Sequence, residues 1–280
     1  MSCTSRFPAL CLILLVAPPV VAQQTLLRYQ PPVGSQKTYD AQVSGDITIT
    51  IQLPGATTPQ QGKVSGAMRM TENVTAASTD GYRTVEAQFV SADITYNEQR
   101  LPLGLVGRKL QFSRDLLGRV SNLTTQPAGN GDLSGMMGFD PLEAANDLSL
   151  VVAFPEKPVG PGDSWENEYD IPAKDGSRLR VSTQSCLKQF TEAAGRPVAM
   201  VDSKARVPLV VEQQGMRIMG QMNANIRSLY YLDDGTLARS QSRAAIKLSI
   251  YNVKADGTAE PMGACEIPDL QSVVVEATGA

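Results

Sequence analysis

Apolar residues recur at every second position over long stretches of this chain. Ile47, Ile49, Ile51 and Leu53 alternate with Asp46, Thr48, Thr50 and Gln52, a period of two that predicts a strand with one buried face. The longest run puts Met216, Ile218, Gly220, Met222, Ala224, Ile226, Ser228, Tyr230 and Leu232 on one face and mostly polar residues on the other. After the turn Asp233-Asp234-Gly235, a return strand keeps Ala244, Ile246, Leu248 and Ile250 in phase, then Tyr251 and Val253 out of phase. Strands of about 15 residues far exceed the usual five or six and suit a curved, wrapped antiparallel sheet better than a flat one.

The same pattern places breaks and bends. Pro54 to Gly62 reads as a loop, Val64 to Ala76 as a strand, and Thr79-Asp80-Gly81 as a turn. From Tyr82 the apolar parity is odd at Val85, Ala87 and Phe89 and even at Val90, Ala92, Ile94 and Tyr96, which predicts a bulge near Phe89 and Val90. Lys109 to Val120 reads as a hairpin about Asp115 to Gly118. Pro208 interrupts the run Ala205, Val207, Leu209 and Val211. A proline cannot donate to a central ladder, so the expectation there is an edge strand or a bulge.

Two similar halves are visible. Pro158-Val159-Gly160, followed by Ser164 and Trp165, matches Pro32-Val33-Gly34, followed by Thr38 and Tyr39, at an offset of about 126 residues. Tyr39 and Trp165 are the expected anchors of the two copies. The predicted organisation is a first β half over 23–126, a loop with a short helix over 127–153, and a second β half over 154–280 in one continuous domain with the first. The helix signal is Asp140-Pro141-Leu142-Glu143, with an N-cap acceptor and a first-position proline, and the helix is expected from Pro141 to about Leu148. This segment is either a crossover between the halves or an apolar lid built on Met136, Met137, Phe139 and Leu142.

Residues 1–22 carry one charge, Arg6, and an apolar run from Leu10 to Ala17 that is too short to span a bilayer. They predict a signal peptide cleaved after Ala22, and hence an exported protein, periplasmic or extracellular. No later apolar run is long enough for a transmembrane segment. The net charge of −3 is spread along the chain without a basic, aromatic-interleaved patch, which argues against a nucleic-acid partner. Cys186 and Cys265 remain after processing, and an even count in an exported chain favours a disulfide between them, with two buried free thiols as the alternative.

The chain has no histidine, so Ser-His-Asp and Cys-His catalysis is absent, and the cysteines have no nearby partners for a metal. No phosphate loop or dinucleotide fingerprint occurs, so no cofactor is implied. Ser185 and Lys188 have a Ser-x-x-Lys spacing, but in a strand rather than at a helix start. Glu166 with Glu168 and Asp233 with Asp234 read as a solvent face and a turn. The expectation is a protein without enzymatic activity. The candidate binding surface combines Met216, Ile218, Met222, Ala224 and Ile226, flexible thioethers beside small residues, with Met136, Met137, Phe139 and Leu142. A plain packed core fits the β residues equally well.

The element Pro155, Pro158, Val159, Gly162, Asp163 and Trp165 resembles one found in uncharacterised secreted proteins close to the bacterial envelope lipoprotein-carrier superfamily, the half-barrels typified by LolA, LolB and the LppX type. The resemblance implies a strongly curved antiparallel sheet, mainly β with one short helix, whose concave face holds an acyl chain or lipidated protein without chemistry. The function expected is an exported carrier for a lipid, lipidated protein or other apolar ligand. The alternative is an envelope structural or protein-interaction module with a filled core.

Overall fold

The computed structural model describes residues 24–53, 56–101, 104–126, 152–172, 178–213, 215–254 and 257–277. Twelve strands lie within them: β1 (Gln36–Leu53), β2 (Ala56–Ala77), β3 (Arg83–Tyr96), β4 (Gln99–Leu101), β5 (Lys109–Arg114) and β6 (Val120–Gln126) in the first half. In the second half come β7 (Ser164–Pro172), β8 (Arg178–Ala193), β9 (Arg196–Gln213), β10 (Met216–Tyr231), β11 (Leu237–Val253) and β12 (Ala259–Glu276). All join one sheet in the order β6-β5-β3-β2-β1-β12-β11-β10-β9-β8-β7, with β4 beside β3 and every pairing antiparallel. The sheet is not closed; β6 and β7 are its edges. Among the described residues there is no helix, and the helix expected from Pro141 to Leu148 falls outside them, as does the expected signal peptide.

Each half is a meander, and the two meet where β1 pairs with β12. Apolar alternation commits one face of every long strand to a common interior. The sheet curls to make that interior. Val85, Ala87 and Phe89 of β3 and Leu110 and Phe112 of β5 share a core cluster with Leu187 of β8 and Ala199 and Val201 of β9. Five strands separate β3 from β9, a path along the sheet of nearly 30 Å at about 4.8 Å per strand. Leu27, Tyr29, Phe154 and Val159 fill the space between the flanks.

The filling segments are tied to both sides. In the strap 24–31, Tyr29 N–H donates to Leu116 O in the β5–β6 turn and Gln30 N–H to Asp234 O in the β10–β11 turn. Arg28 donates to the carbonyls of Pro155 and Glu156, both at 2.7 Å, and Thr25 forms a β-bridge with Val159. The strap passes so close to Gly235 that a Cβ there would lie 2.1 Å from Arg28 O. Under the strap, the Arg114 guanidinium lies 4.5 Å from the Tyr29 ring centre and 4.0 Å from Glu72, with both charged side chains largely covered.

Several local expectations hold and others change. The register of β2 on β3 jumps between Arg69↔Ser91 and Met70↔Phe89, so Val90 is the bulged residue and is exposed. The Lys109–Val120 hairpin forms, closed by Asp115, whose carboxylate accepts from the Leu117 and Arg119 amides. Ala56 to Gly62, expected to be loop, is strand: β2 begins at Ala56, and its polar start pairs with the far end of β1, while Pro54 and Gly55 lie outside the described residues. Pro208 belongs to an interior strand, contrary to the expected edge, and pairs with Gln221 in unbroken β9–β10 register. Among the described residues, however, it lies past Ser182↔Arg206, the last β8–β9 pair, where one side of β9 has no ladder to interrupt. The repeat also shifts. Gly34 (φ 85°) and Gly162 (φ 94°) occupy equivalent turns two residues before β1 and β7, an offset of 128, so Trp165 matches Lys37 rather than Tyr39. Tyr39 and Trp165 still both face the interior, and Trp165 Nε1 donates to Ala153 O.

Burial around the strap gives the fold an alkaline limit. Burial raises Tyr29 from 10.0 to about 12, with Arg114 opposing, and also raises Tyr231 to about 12. Tyr39 and Tyr230 move in the same direction for the same reason. A raised tyrosine stabilises the fold fully below pH 10 and loses that contribution as the pH climbs through 12, on the order of 2–3 kcal/mol for a residue such as Tyr29. The protein should therefore unfold cooperatively within that window. Phenolate absorbance should rise together with loss of the β circular-dichroism signal, whereas full tyrosine ionisation in an intact sheet would contradict the assignment. Arg114→Ala, which strands Glu72 under the strap, should cost about 3–5 kcal/mol in chemical denaturation.

Candidate functional site

The inner face is ordered in rows, because residues in register across an antiparallel ladder share a face. Nearest the strap are the aromatic and aliphatic residues of the first core cluster. Next comes a row of four serines about one isoleucine, Ser185, Ser203, Ile226, Ser242 and Ser272, followed by the row Thr183, Ala205, Ala224, Ala244. Farther out the rows are apolar: Val181, Val207, Met222, Ile246, then Leu209, Gly220, Leu248, Cys265 and Ile49.

The sequence-predicted β10 residues lie on this face as their spacing requires. Ile218, Met222, Ala224 and Ile226 are buried, and Met216 at the strand start is half-buried. Met222, Ala224 and Ile226 pack with Val181, Ala205, Val207 and Ala244, so this part of the surface is a filled core. Met136, Met137, Phe139 and Leu142 lie outside the described residues. Val152 packs against both core clusters.

The less covered apolar surface lies one to three strands away. Ile246, Leu248 and Ile250 of β11, Ile267 and Leu270 of β12, and Ile47 and Ile49 of β1 are all half-buried. Together they make a continuous apolar stripe leading to the end of the sheet opposite the strap. The β11 and β1 residues were visible as alternation. The β12 residues were not, because Pro268 marks a bulge: Ser44↔Gln271 gives way to Thr48↔Glu266, and Ala244↔Leu270 to Ile246↔Ile267. The bulge changes parity, leaving Cys265 and Ile267 in phase with Leu270, Ser272 and Val274 across an odd step, which hides the pattern.

The outer face is polar throughout its middle. A depression of about 780 Å³ is lined by Gln184, Lys204, Asn225, Arg243 and Gln271, five side chains in one register row, with Asp202 and Arg227 in the next. It adjoins a second, of about 470 Å³, that extends across β1 to β3. Arg227 grips Asp202 through two hydrogen bonds, 2.7 and 2.9 Å, which hold that carboxyl below its usual range. At Asp233, burial pushes the carboxyl up, but hydrogen bonds from Arg196 outweigh it and keep it low. The Asp233-Asp234-Gly235 turn is thus a clamp for Arg196. Glu166 and Glu168 project from β7 into solvent. Ser185 is buried against Ser203 on the inner face while Lys188 is exposed, so the Ser-x-x-Lys spacing builds no dyad. Among the described residues no group of three metal-ligating side chains occurs, and no helix is long and apolar enough to cross a membrane.

The expected Cys186–Cys265 disulfide is not formed; both thiols are free. Cys186 lies on β8 and Cys265 on β12, with β9, β10 and β11 between them, so four strand spacings of about 4.8 Å far exceed disulfide reach. Cys186 borders the outer depression, whereas Cys265 belongs to the inner apolar face, where burial and then Glu266 push its thiol up.

Reducing agents should therefore leave the thermal midpoint unchanged. Met222→Ala should cost about 2–4 kcal/mol in denaturant unfolding as a core truncation, with Leu248→Ala costing roughly half as much because its side chain is only half-buried. Equal losses would mean that the stripe is as tightly packed as the core beside it.

No family model and no curated protein matches this chain. Among solved structures, one of lipovitellin concerned with lipid–protein interactions aligns with 88% of this chain and 25% of its own, at 10% identity and a TM-score of 0.45. The chain thus spans a quarter of that protein's length. DynF, from the dynemicin biosynthesis pathway of Micromonospora chersina, aligns with 93% of this chain and 88% of its own, at 8% identity and a TM-score of 0.23. At these TM-scores neither likeness carries an argument about fold or function.

Proposed function

We propose that this protein is an exported, non-enzymatic carrier or binding protein for a lipid, lipidated chain or other apolar ligand, held on the inner face of an open, curled sheet. The observation that carries this reading is the half-buried apolar stripe on β11, β12 and β1, beside a core that is already filled. A sheet face of aliphatic side chains with incomplete cover leaves transfer free energy of about 25 cal/mol per Å² available to an apolar occupant. The leader-like residues 1–22 and the resemblance to the LolA, LolB and LppX type support the same reading. A non-catalytic role accords with the lack of histidine and the separation of Ser185 from Lys188.

A second reading is an envelope interaction module. It is favoured by the packed cluster around Met222 and by the two open edges, β6 and β7, whose backbone can accept an added strand.

Native purification followed by lipid mass spectrometry separates the two. The carrier reading expects a co-purifying lipid, displacement of that lipid by a fluorescent fatty-acyl probe, and at least about tenfold weaker probe binding in Leu248→Lys, which plants a charge in the stripe. A lipid-free protein indifferent to the probe would reject it. Recovery of a stoichiometric protein partner in its place would favour the module.

A further inference from the structure

We propose that the hydroxyl row on the inner face seats the head of a neutral acyl lipid, one joined to its chain through an ester or amide, with the acyl chain lying along the stripe of β11, β12 and β1. This deepens the carrier reading and rests on it.

Three serine pairs face the interior across neighbouring strands: Ser185 with Ser203 at 2.8 Å, Ser242 with Ser272 at 2.8 Å, and Ser228 with Ser240 at 3.1 Å. Ser185, Ser203 and Ser228 are at most 4% exposed, whereas Ser240, Ser242 and Ser272 are half-buried. A hydroxyl pair uses one proton in its mutual bond and leaves the other to donate elsewhere. Around the Ser185–Ser203 and Ser242–Ser272 pairs lie Leu187, Val201, Ala205, Ile226 and Ala244, none of which offers a side-chain acceptor, whereas Ser228 of the third pair also hydrogen-bonds Tyr230. Beside them, on the same face, Thr183 is 3% exposed and its Oγ1 has no hydrogen-bond partner. An unsatisfied buried hydroxyl is costly, and a structure rarely keeps one without a water or ligand to meet it.

Small volume alone does not explain these residues. The adjoining row meets the same spatial demand with Ala205, Ala224 and Ala244, and alanine would leave no proton to satisfy. The row also sets the charge of its occupant. From Trp165 on β7 through the serines to Val43 on β1 and Gly66 on β2, no register position on this face carries a charged side chain. A phosphate or ionised carboxylate placed there would lose its water without gaining a cation, whereas an ester or amide carbonyl accepts an O–H bond with no ionic penalty. Leading outward from Ser242, the side chains of Ala244, Ile246, Leu248 and Ile250 continue the same face over eight residues, about 27 Å at 3.4 Å per residue, room for a long acyl chain.

The test measures binding of a monoacylglycerol, the ionised fatty acid of the same chain, and the parent hydrocarbon to the full-length protein and to a Ser242→Ala/Ser272→Ala double variant. The monoacylglycerol should bind the unaltered protein about tenfold tighter than the fatty-acid anion. The double variant should lose about fivefold in monoacylglycerol affinity and nothing for the hydrocarbon. Ser242→Thr, which keeps the hydroxyl, should restore most of the loss when paired with Ser272, and thermal unfolding should confirm that each variant is folded. Equal affinity for the anion and the monoacylglycerol, or an unchanged preference in the double variant, overturns the head-group assignment while leaving the carrier reading intact. Failure of all three ligands to bind overturns the carrier reading itself.

Discussion

The curl of this sheet depends on the strap at residues 24–31. A twelve-stranded open sheet has no covalent or ladder closure to keep its flanks facing one another, and its edges never meet. The strap supplies the missing link with backbone bonds to the β5–β6 turn on one side and the β10–β11 turn on the other. It also fills the gap with Leu27 and Tyr29, both almost wholly buried. Hydrogen bonding and apolar burial act here on the same few residues, so losing the strap would release the flanks and unpack the first core cluster at once. The Phe154–Val159 segment reinforces the arrangement, receiving Arg28 on its carbonyls and Thr25 in a bridge.

Curvature along the strands complements curvature across them. The outer depression lies directly behind the inner serine row: Gln184, Lys204, Asn225, Arg243 and Gln271 neighbour Ser185, Ser203, Ile226, Ser242 and Ser272 along their strands. A curled, twisted sheet has the saddle form of part of a hyperboloid, narrowest at its waist. Inside the waist the row is built mostly of serine, with Ile226 at its centre, and outside it the surface is hollowed. The sheet widens on either side. At one end the space is filled by the strap, and at the other it is lined by the half-buried aliphatic stripe, so a single geometric fact separates the filled core from the candidate binding face.

Much of this could be read from the residues. The strict alternation of β1, β10 and β11 fixed their inner faces correctly, and the parity change after Phe89 located the bulge at Val90. What escaped was tied to proline. Pro59 hid the start of β2, Pro208 suggested an edge, and Pro261 and Pro268 disguised β12 altogether. The structure resolves each case by the same physics. Among the described residues, Pro59, Pro208 and Pro261 lie beyond the last pair with one neighbouring strand, and Pro268 lies at a bulge, so none removes a hydrogen bond that a ladder needs. Sequence spacing also could not place Cys186 and Cys265 on opposite sides of three strands, since a meander separates in space what an even cysteine count invites one to join. The half-buried stripe was legible only in part for a related reason: its β1 and β11 residues alternate plainly, whereas its β12 residues are hidden by the bulge at Pro268.

The seam between β1 and β12 has a consequence for how the molecule forms. Tyr39 pairs with Glu276, residues near opposite ends of the described chain, and this ladder lies at the middle of the sheet rather than at a margin. Each meander can assemble from neighbours in sequence, but the two cannot join until the last strand has been made. Contacts of such long sequence separation are slow to form, and until they do both half-sheets expose apolar inner faces and raw central edges. The step that completes the fold is therefore also the step that shelters its most aggregation-prone surface, and a chain shortened by its final strand would be left as two sticky halves rather than a smaller version of the same protein.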